Sequence, residues 1–147
     1  MPSPGQTDND PYDLQRFVDA QAAVFEAVRA ELSAGRKRSH WMWFIFPQLR
    51  GLGRSHMAHQ YGLTGLAEAT AYVEHPVLGP RLRECTHLVN QVRERSITQI
   101  LGSPDDLKFH SSMTLFARAT ADNEPFLTAL TLYFGGQDDR LTVEKLG

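Results

Sequence analysis

SPDDLKFHSSMTLFARA, residues 103–119, contains the clearest helix start in the chain. Ser103 offers a capping hydroxyl, and Pro104 suits the first helical position because it has no N–H that would need a partner. The carboxylates of Asp105 and Asp106 then face the positive end of the helix dipole. The pattern predicts a helix that runs to the end of this segment, and it favours a helical fold.

Apolar residues at three- and four-residue spacing predict further helices on both sides of this segment. Asp13 and Ser96 are suited to cap two of them, and Gly35 and Gly135 are suited to end two. Convincing alternating strands are absent from the sequence. We therefore predict an all-α fold, a single compact domain of about six to seven helices that is irregular rather than a simple four-helix bundle. The additional predicted helices span residues 13–35, 63–74, 80–92, 96–102 and 123–135.

The two ends of the chain differ from the part between them. The N-terminus has no basic region followed by an apolar run, so it does not read as a secretory signal. Near the C-terminus, Leu141, Val143 and Leu146 are separated by polar residues, a pattern compatible with a short strand, a last helical turn or an arm. We predict a flexible leader at residues 1–12, a helical domain at 13–136, and a tail at 137–147 that docks on the domain or on a neighbour.

Composition excludes several classes of protein. A chain of 147 residues is long enough for one ordinary domain with its own core. The formal charge of −2 argues against a general nucleic-acid binder. Cys85 is the single cysteine, so no intrachain disulfide forms and a reducing compartment fits. No apolar run approaches the length of a membrane span, and we expect a cytoplasmic protein.

A basic and aromatic stretch at residues 35–61, GRKRSHWMWFIFPQLRGLGRSHMAHQY, is the most informative part for function. Its cations flank several aromatic rings, a mixture that suits an anion with a flat ring attached. Gly51 and Gly53 would let the backbone approach a phosphate, and Ser55 would add a hydrogen bond at a helix start. The alternative is that the glycines only allow a tight turn, that the cations are solvated, and that most of the aromatic residues pack in the core.

Residues elsewhere add weaker signals. Lys108 would bind a phosphate or, with a lowered pKa, attack a sugar aldehyde, but it also reads as an exposed helix lysine beside a carboxylate. His110 and Ser111 are adjacent and point about 100° apart on a helix, so they form no ready catalytic pair. His56 and His59 have helical spacing but no third ligand nearby, and we predict neither a metal nor a cofactor.

Several of these segments resemble a known family. HWMWFIFPQL at 40–49, followed by GLGRS at 51–55 and by Tyr61, resembles the hallmark of the domain of unknown function family 1810, whose members are sometimes mislabelled calpastatin. KFHSSMTLF at 108–116 resembles its second hallmark, although Phe109 stands where leucine is common. The similarity extends over nearly the whole chain after residue 12. It implies an all-α fold, and it implies no catalytic residues because no activity is established for the family.

Two hypotheses for function follow, and the residues leave open whether the chain is an enzyme. The first is a pocket for a small anionic ligand of nucleotide or sugar-phosphate type, with hydrolysis as an extension, in a monomer or weak homo-oligomer. It requires Arg54 and Lys108 to converge. The alternative is a non-catalytic helical protein-interaction module, with these groups scattered over the surface. The residues predicted to form the pocket are Lys37, His40, Trp41, Trp43, Gln48, Gly51, Gly53, Arg54, Ser55, Lys108 and Ser112.

Overall fold

The computed structural model describes residues 10–147, and ten helices form over that range. The all-α prediction is confirmed, because the described residues contain no strand and only an isolated parallel bridge between Leu49 and Leu63. The number of helices exceeds the predicted six to seven. The helices are α1 (Gln15–Ala22), α2 (Phe25–Ser33), α3 (Met42–Ile45), α4 (His56–Tyr61), α5 (Leu66–Glu74), α6 (Leu78–Asn90), α7 (Ile97–Leu101), α8 (Asp105–Ala119), α9 (Glu124–Phe134) and α10 (Arg140–Leu146). Residues 1–9 of the predicted leader lie outside the described residues.

The helix predicted for residues 13–35 is in fact two helices. Val24 leaves the helical conformation with φ −121° and ψ −5°, and each half then packs on a different partner: α1 on α3, and α2 on α6. Asp13 is not the cap of α1. The carboxylate of Asp10 accepts hydrogen bonds from the amides of Leu14 at 2.7 Å and Gln15 at 2.9 Å, so one side chain satisfies two of the free N–H groups at this end.

Helix α8 is the centre of the domain, and it contacts α5, α7, α9 and α10. Its residues from 111 to 116 are all buried, because apolar and small side chains occur on every face of this part of the helix. The predicted helix start is confirmed, but Ser103 does not cap it. The Asp106 amide instead donates to the carbonyl of Gly102 at 2.9 Å.

Most of the aromatic residues of the 35–61 stretch pack in the core. Trp41, Phe44 and Phe46 are each less than 7% exposed. Phe46 meets Phe109 of α8 edge to face, with ring centroids 5.0 Å apart. This contact joins the two segments that carry the predicted site, so the position of one fixes the position of the other.

The loop after Pro47 is closed by backbone contacts. The amide of Arg50 donates to the Leu63 carbonyl at 2.8 Å, and the Leu63 amide donates to the Gln48 carbonyl at 3.0 Å. Gly62 makes this approach feasible, since a Cβ at that position would lie 2.6 Å from the Cα of Arg50. The result is a compact loop that presents Arg54 and α4 beside α8.

Part of the predicted tail is helical. Helix α10 packs on α8, and Asp139 caps it by accepting a hydrogen bond from the Thr142 amide at 3.1 Å. Thr142 is fully buried. Helix α10 therefore forms one wall of the space beside the start of α8. Among the described helices, none is both long and apolar enough to cross a membrane.

Candidate functional site

A cavity of about 460 Å³ opens where three segments meet. The loop at residues 48–58 forms one side, the first two turns of α8 form the second, and the start of α10 forms the third. We call it the Arg54–Lys108 cavity, after the two cations in its lining. Its volume falls in the range of sites for small molecules.

The cavity combines cationic, polar and apolar groups. Arg54 forms no ion pair with any residue in the range 10–147 and is exposed. Ser55 caps α4, and its hydroxyl accepts a hydrogen bond from the Ala58 amide at 3.0 Å. Leu107 and Leu141 add apolar surface, although they are 63% and 60% exposed. Such a lining is suited to a ligand with a charged part and an apolar part.

Asp105 lies between two lysines beside this cavity. Its carboxylate is 2.9 Å from Lys37 Nζ but 3.8 Å from Lys108 Nζ. Because the Coulomb attraction falls with distance, Lys37 is the principal partner of Asp105. The ammonium of Lys37 also lies 5.1 Å from the ring centroid of Trp41. Lys37 is thus paired within the protein, whereas Lys108 has the longer contact with Asp105 and also lines the cavity.

Asp139 supplies a carboxylate to the cavity lining, and this carboxylate is engaged. Its Oδ2 atom accepts hydrogen bonds from Ser111 Oγ at 3.0 Å and from Thr142 Oγ1 at 2.6 Å, in addition to the Thr142 amide. The bond from Ser111 fastens the start of α10 to α8, and the two bonds from Thr142 cap α10. The arrangement identifies Asp139 as a residue that positions the cavity wall.

A small recess adjoins the cavity and shares Gln48, Ala58 and Lys108 with it. We call it the Trp43 recess. It has a volume of about 10 Å³, which is close to the space that one water molecule needs. Trp43 lines it, and the indole Nε1 of this residue is buried with no hydrogen-bond partner among the described residues. Lys108 Nζ lies 5.5 Å from the Trp43 ring centroid.

The structure brings together some of the residues predicted to form the pocket. Arg54 and Lys108, which the pocket hypothesis required to converge, line the same cavity. Trp43 lines the adjoining recess. The predicted residues that line the Arg54–Lys108 cavity are Gln48, Gly53, Arg54, Ser55 and Lys108.

The other predicted residues lie outside both linings, and the structure shows where Trp41, Gly51 and Ser112 serve instead. Trp41 is buried and donates its indole N–H to Glu31 at 2.9 Å. Ser112 is fully buried within the core face of α8. Gly51 has φ +97°, a conformation that favours glycine, so it serves the turn. The predicted residues outside the linings are Lys37, His40, Trp41, Gly51 and Ser112.

Seven lining residues were not among the predicted set: Leu52, Ala58, Pro104, Leu107, Ser111, Asp139 and Leu141. Leu107, Ser111, Asp139 and Leu141 come from α8 and from the segment treated as a tail. Asp139 could have been found, because aspartate is a preferred N-cap residue and it precedes the apolar residues Leu141, Val143 and Leu146. No local signal marks Leu107 or Ser111, since only the packing of α10 makes them part of a cavity.

The other reactive side chains of residues 10–147 do not form a second site. No group of three or more histidine, cysteine, aspartate or glutamate side chains is arranged to hold a metal. His56 and His59 are both exposed. Burial raises the pKa of the Cys85 thiol to about 12, so this residue stays protonated in the core.

The fold and the cavity define a small all-α protein with a cationic, partly apolar cavity at one end of its central helix. The chain belongs to the family described as "Protein of unknown function (DUF1810)", whose sequence profile matches residues 11–146. The resemblance found from the residues alone is thereby confirmed. The structure is also similar to the crystal structure of the conserved hypothetical protein Rv1873 from Mycobacterium tuberculosis, at 63% identity and with a TM-score of 0.92. That similarity covers 93% of this chain and 98% of the other. A search of curated proteins finds no match.

Proposed function

We propose that the Arg54–Lys108 cavity binds a small anionic ligand of nucleotide or sugar-phosphate type. The observation that carries the proposal is the convergence of Arg54 and Lys108, which are far apart in sequence, on one cavity of about 460 Å³. Arginine and lysine are the side chains that most often bind phosphate groups. Gln48 and Ser55 supply further polar groups to the same space.

Binding is favoured over hydrolysis. A hydrolytic site needs a base within reach of a water molecule. The carboxylate in the cavity lining is that of Asp139, and its Oδ2 already accepts three hydrogen bonds that hold α10. A role for this residue in the architecture of the site accounts for its contacts, so the proposal includes no reaction.

The alternative is a protein-interaction module, and one observation favours it. Leu127 and Leu132 of α9 are 48% and 55% exposed and line a shallow depression with Thr128 and Thr131. Exposed apolar side chains of this kind are common in contact surfaces. This alternative makes α9 the functional surface, and it predicts that substitutions in the Arg54–Lys108 cavity have no effect on binding.

The proposal has three further parts, and charge and composition support those on the cytoplasm and on nucleic acid. The protein acts in the cytoplasm, it is a monomer or a weak homo-oligomer, and it does not bind nucleic acid in general. The net charge of −2 and the single, buried cysteine fit these conditions. Size-exclusion chromatography over a concentration series tests the oligomeric state.

A thermal-shift screen tests the proposed ligand class. The protein is melted with nucleotides, ADP-ribose, sugar phosphates and inorganic phosphate at millimolar concentration. A ligand at a hundred times its Kd adds about 2.7 kcal/mol to folded-state stability, which raises Tm by about 5–10 °C for a domain of this size. We expect such a shift with at least one phosphorylated ligand, and no shift with uncharged nucleosides or sugars.

Variants locate the binding. Arg54→Ala and Lys108→Met each remove a cation that lines the cavity, and we expect each to abolish the shift. Arg93→Ala is the matched control, because Arg93 is an exposed arginine outside the cavity lining. A screen with no shift from any phosphorylated compound would reject the proposal. A shift that survives both cavity substitutions would place the ligand elsewhere.

A further inference from the structure

Trp43, which lines the Trp43 recess, has a hydrogen-bond donor with no partner in the described part of the chain. Trp43 Nε1 is buried, and no acceptor among residues 10–147 is within hydrogen-bond distance. A buried N–H group ordinarily has an acceptor in the protein, in water or in a ligand. The recess shares Gln48, Ala58 and Lys108 with the Arg54–Lys108 cavity, so a ligand in that cavity lies next to the recess.

The side chains around Trp43 Nε1 indicate which kind of acceptor atom it binds. Lys108 Nζ lies 5.5 Å from the Trp43 ring centroid and 3.8 Å from the Asp105 carboxylate, and no carboxylate among the described residues lines the recess itself. Gln48 also lines the recess and carries an amide group that can donate hydrogen bonds. An N–H donor beside a cation and an amide is suited to an anionic oxygen.

The size of the recess limits what enters it. A volume of about 10 Å³ holds one oxygen atom or one water molecule and excludes a ring. The rest of a ligand whose oxygen occupies the recess must therefore lie in the Arg54–Lys108 cavity. The ligand is therefore oriented with its anionic group at the Trp43 recess and its larger part in the Arg54–Lys108 cavity.

The outer part of the cavity is apolar in character. Leu107 and Leu141, from α8 and α10, line it and remain 63% and 60% exposed. Covering them with a flat apolar surface removes this area from water, which is favourable. The hydroxyl groups of a sugar would gain no hydrogen bonds from leucine and would lose those they make with water. The purine or pyrimidine ring of a nucleotide provides a flat apolar surface that covers the two leucines, whereas a sugar phosphate does not.

We infer that the ligand is a nucleoside monophosphate, bound with a phosphate oxygen in the Trp43 recess and with its base against Leu107 and Leu141. This inference rests on the proposed function, because it assumes that the Arg54–Lys108 cavity binds an anion. It adds the choice of nucleotide over sugar phosphate, the orientation, and the role of Trp43 as the residue that receives the phosphate.

Titration calorimetry with AMP, ribose 5-phosphate and inorganic phosphate tests the choice of ligand. We expect AMP to bind at least about tenfold tighter than ribose 5-phosphate, because only AMP covers both leucines. The double variant Leu107→Ala/Leu141→Ala should lose this preference and retain the affinity for ribose 5-phosphate. The matched control is Leu127→Ala/Leu132→Ala, which removes two exposed leucines outside the cavity and should leave the preference intact.

Tryptophan variants test the recess. Trp43→Phe keeps the ring but removes the N–H, so the affinity for all three compounds should fall about three- to tenfold with their ratio unchanged. In Trp41→Phe, Trp43 is the one remaining tryptophan, and its fluorescence should change when AMP binds. In Trp43→Phe the buried Trp41 should give no such change.

The outcomes separate the inference from the proposed function. If AMP and ribose 5-phosphate bind within twofold of each other, or if Trp43→Phe leaves the phosphate affinity unchanged, the inference is overturned while anion binding in the cavity stands. If none of the three compounds binds at millimolar concentration while the thermal-shift screen finds another phosphorylated ligand, the inference alone is overturned. If that screen also shows no shift, both the inference and the proposed function are overturned.

Discussion

Replacement of Glu31 by glutamine should weaken the support of the segment that precedes α3. The carboxylate of Glu31 accepts four hydrogen bonds: from the Arg38 amide at 2.8 Å, the Ser39 amide at 3.1 Å, the Ser39 hydroxyl at 2.6 Å and the Trp41 indole at 2.9 Å. It thereby holds residues 38–41 in the position from which α3 carries Trp43 to the candidate site.

The magnitude follows from the pKa of this carboxyl. Burial by itself would raise the pKa, but the hydrogen bonds from the Ser39 hydroxyl, the Arg38 amide and the Trp41 indole lower it from 4.5 to about 2. A difference of this size corresponds to about 3 kcal/mol at most. Because Glu31 is only partly buried, solvent screening reduces the expected contribution to about 2 kcal/mol.

The dependence on pH has a definite sign. The folded-state pKa is depressed, so the stabilisation is fully present above the unfolded value of 4.5 and is lost as the pH falls towards 2. Urea denaturation at pH 7 and at pH 3 measures this for the wild-type protein and for Glu31→Gln. We expect the variant to lose about 2 kcal/mol of unfolding free energy at pH 7 and less than half of that at pH 3.

Glu26→Gln is the matched control, since Glu26 is on the same helix, its side chain is 86% exposed and its partner is Arg29. Its unfolding free energy should change by less than about 0.5 kcal/mol. The reasoning about Glu31 would be refuted by a loss below that level at pH 7, or by an equal loss at both pH values.

Three further substitutions have expected outcomes. Gly79→Ala should destabilise the protein by about 2–3 kcal/mol in urea denaturation, because the new Cβ would lie 2.2 Å from the Val73 carbonyl oxygen; a stabilisation, as helix propensity alone predicts, would contradict this contact. Asp139→Ala should raise amide hydrogen exchange across α10 at least about fivefold through loss of its cap and of the bond to Ser111; unchanged exchange would show that α10 is held by other contacts. Ser112→Ala should be neutral or stabilise by about 1 kcal/mol in thermal denaturation, because Ser112 Oγ is buried without a partner, and a clear loss would reveal a hydrogen bond to water.

The fold class and several helix ends could be read from local sequence. Ser96 was predicted to cap a short helix, and it forms a complete capping box with Gln99. Gly135 was predicted to end a helix, and it adopts the left-handed conformation at that end. These features depend on interactions within one or two turns, so the residues that cause them are close together in the sequence.

Two of the predicted helix boundaries differ from those in the structure. Asp13 was expected to cap α1, but Asp10 does so from a position further from the helix. The helix expected at residues 13–35 divides near Val24, where packing against two different helices overrides a continuous helical pattern. Tertiary contacts therefore decided where this helix divides, whereas the choice between Asp10 and Asp13 was made within five residues of the helix start.

The amino-acid sequence by itself determined an all-α fold, the family of the chain and the stretch in which Arg54 lies. Only the tertiary structure decided that Lys108 joins Arg54, that Lys37 is paired with Asp105, and that α10 supplies a third wall. A cavity is the space left between elements that are far apart in the chain, so its shape depends on how those elements pack. Periodicity and capping report on neighbouring residues, and they contain no information about that space.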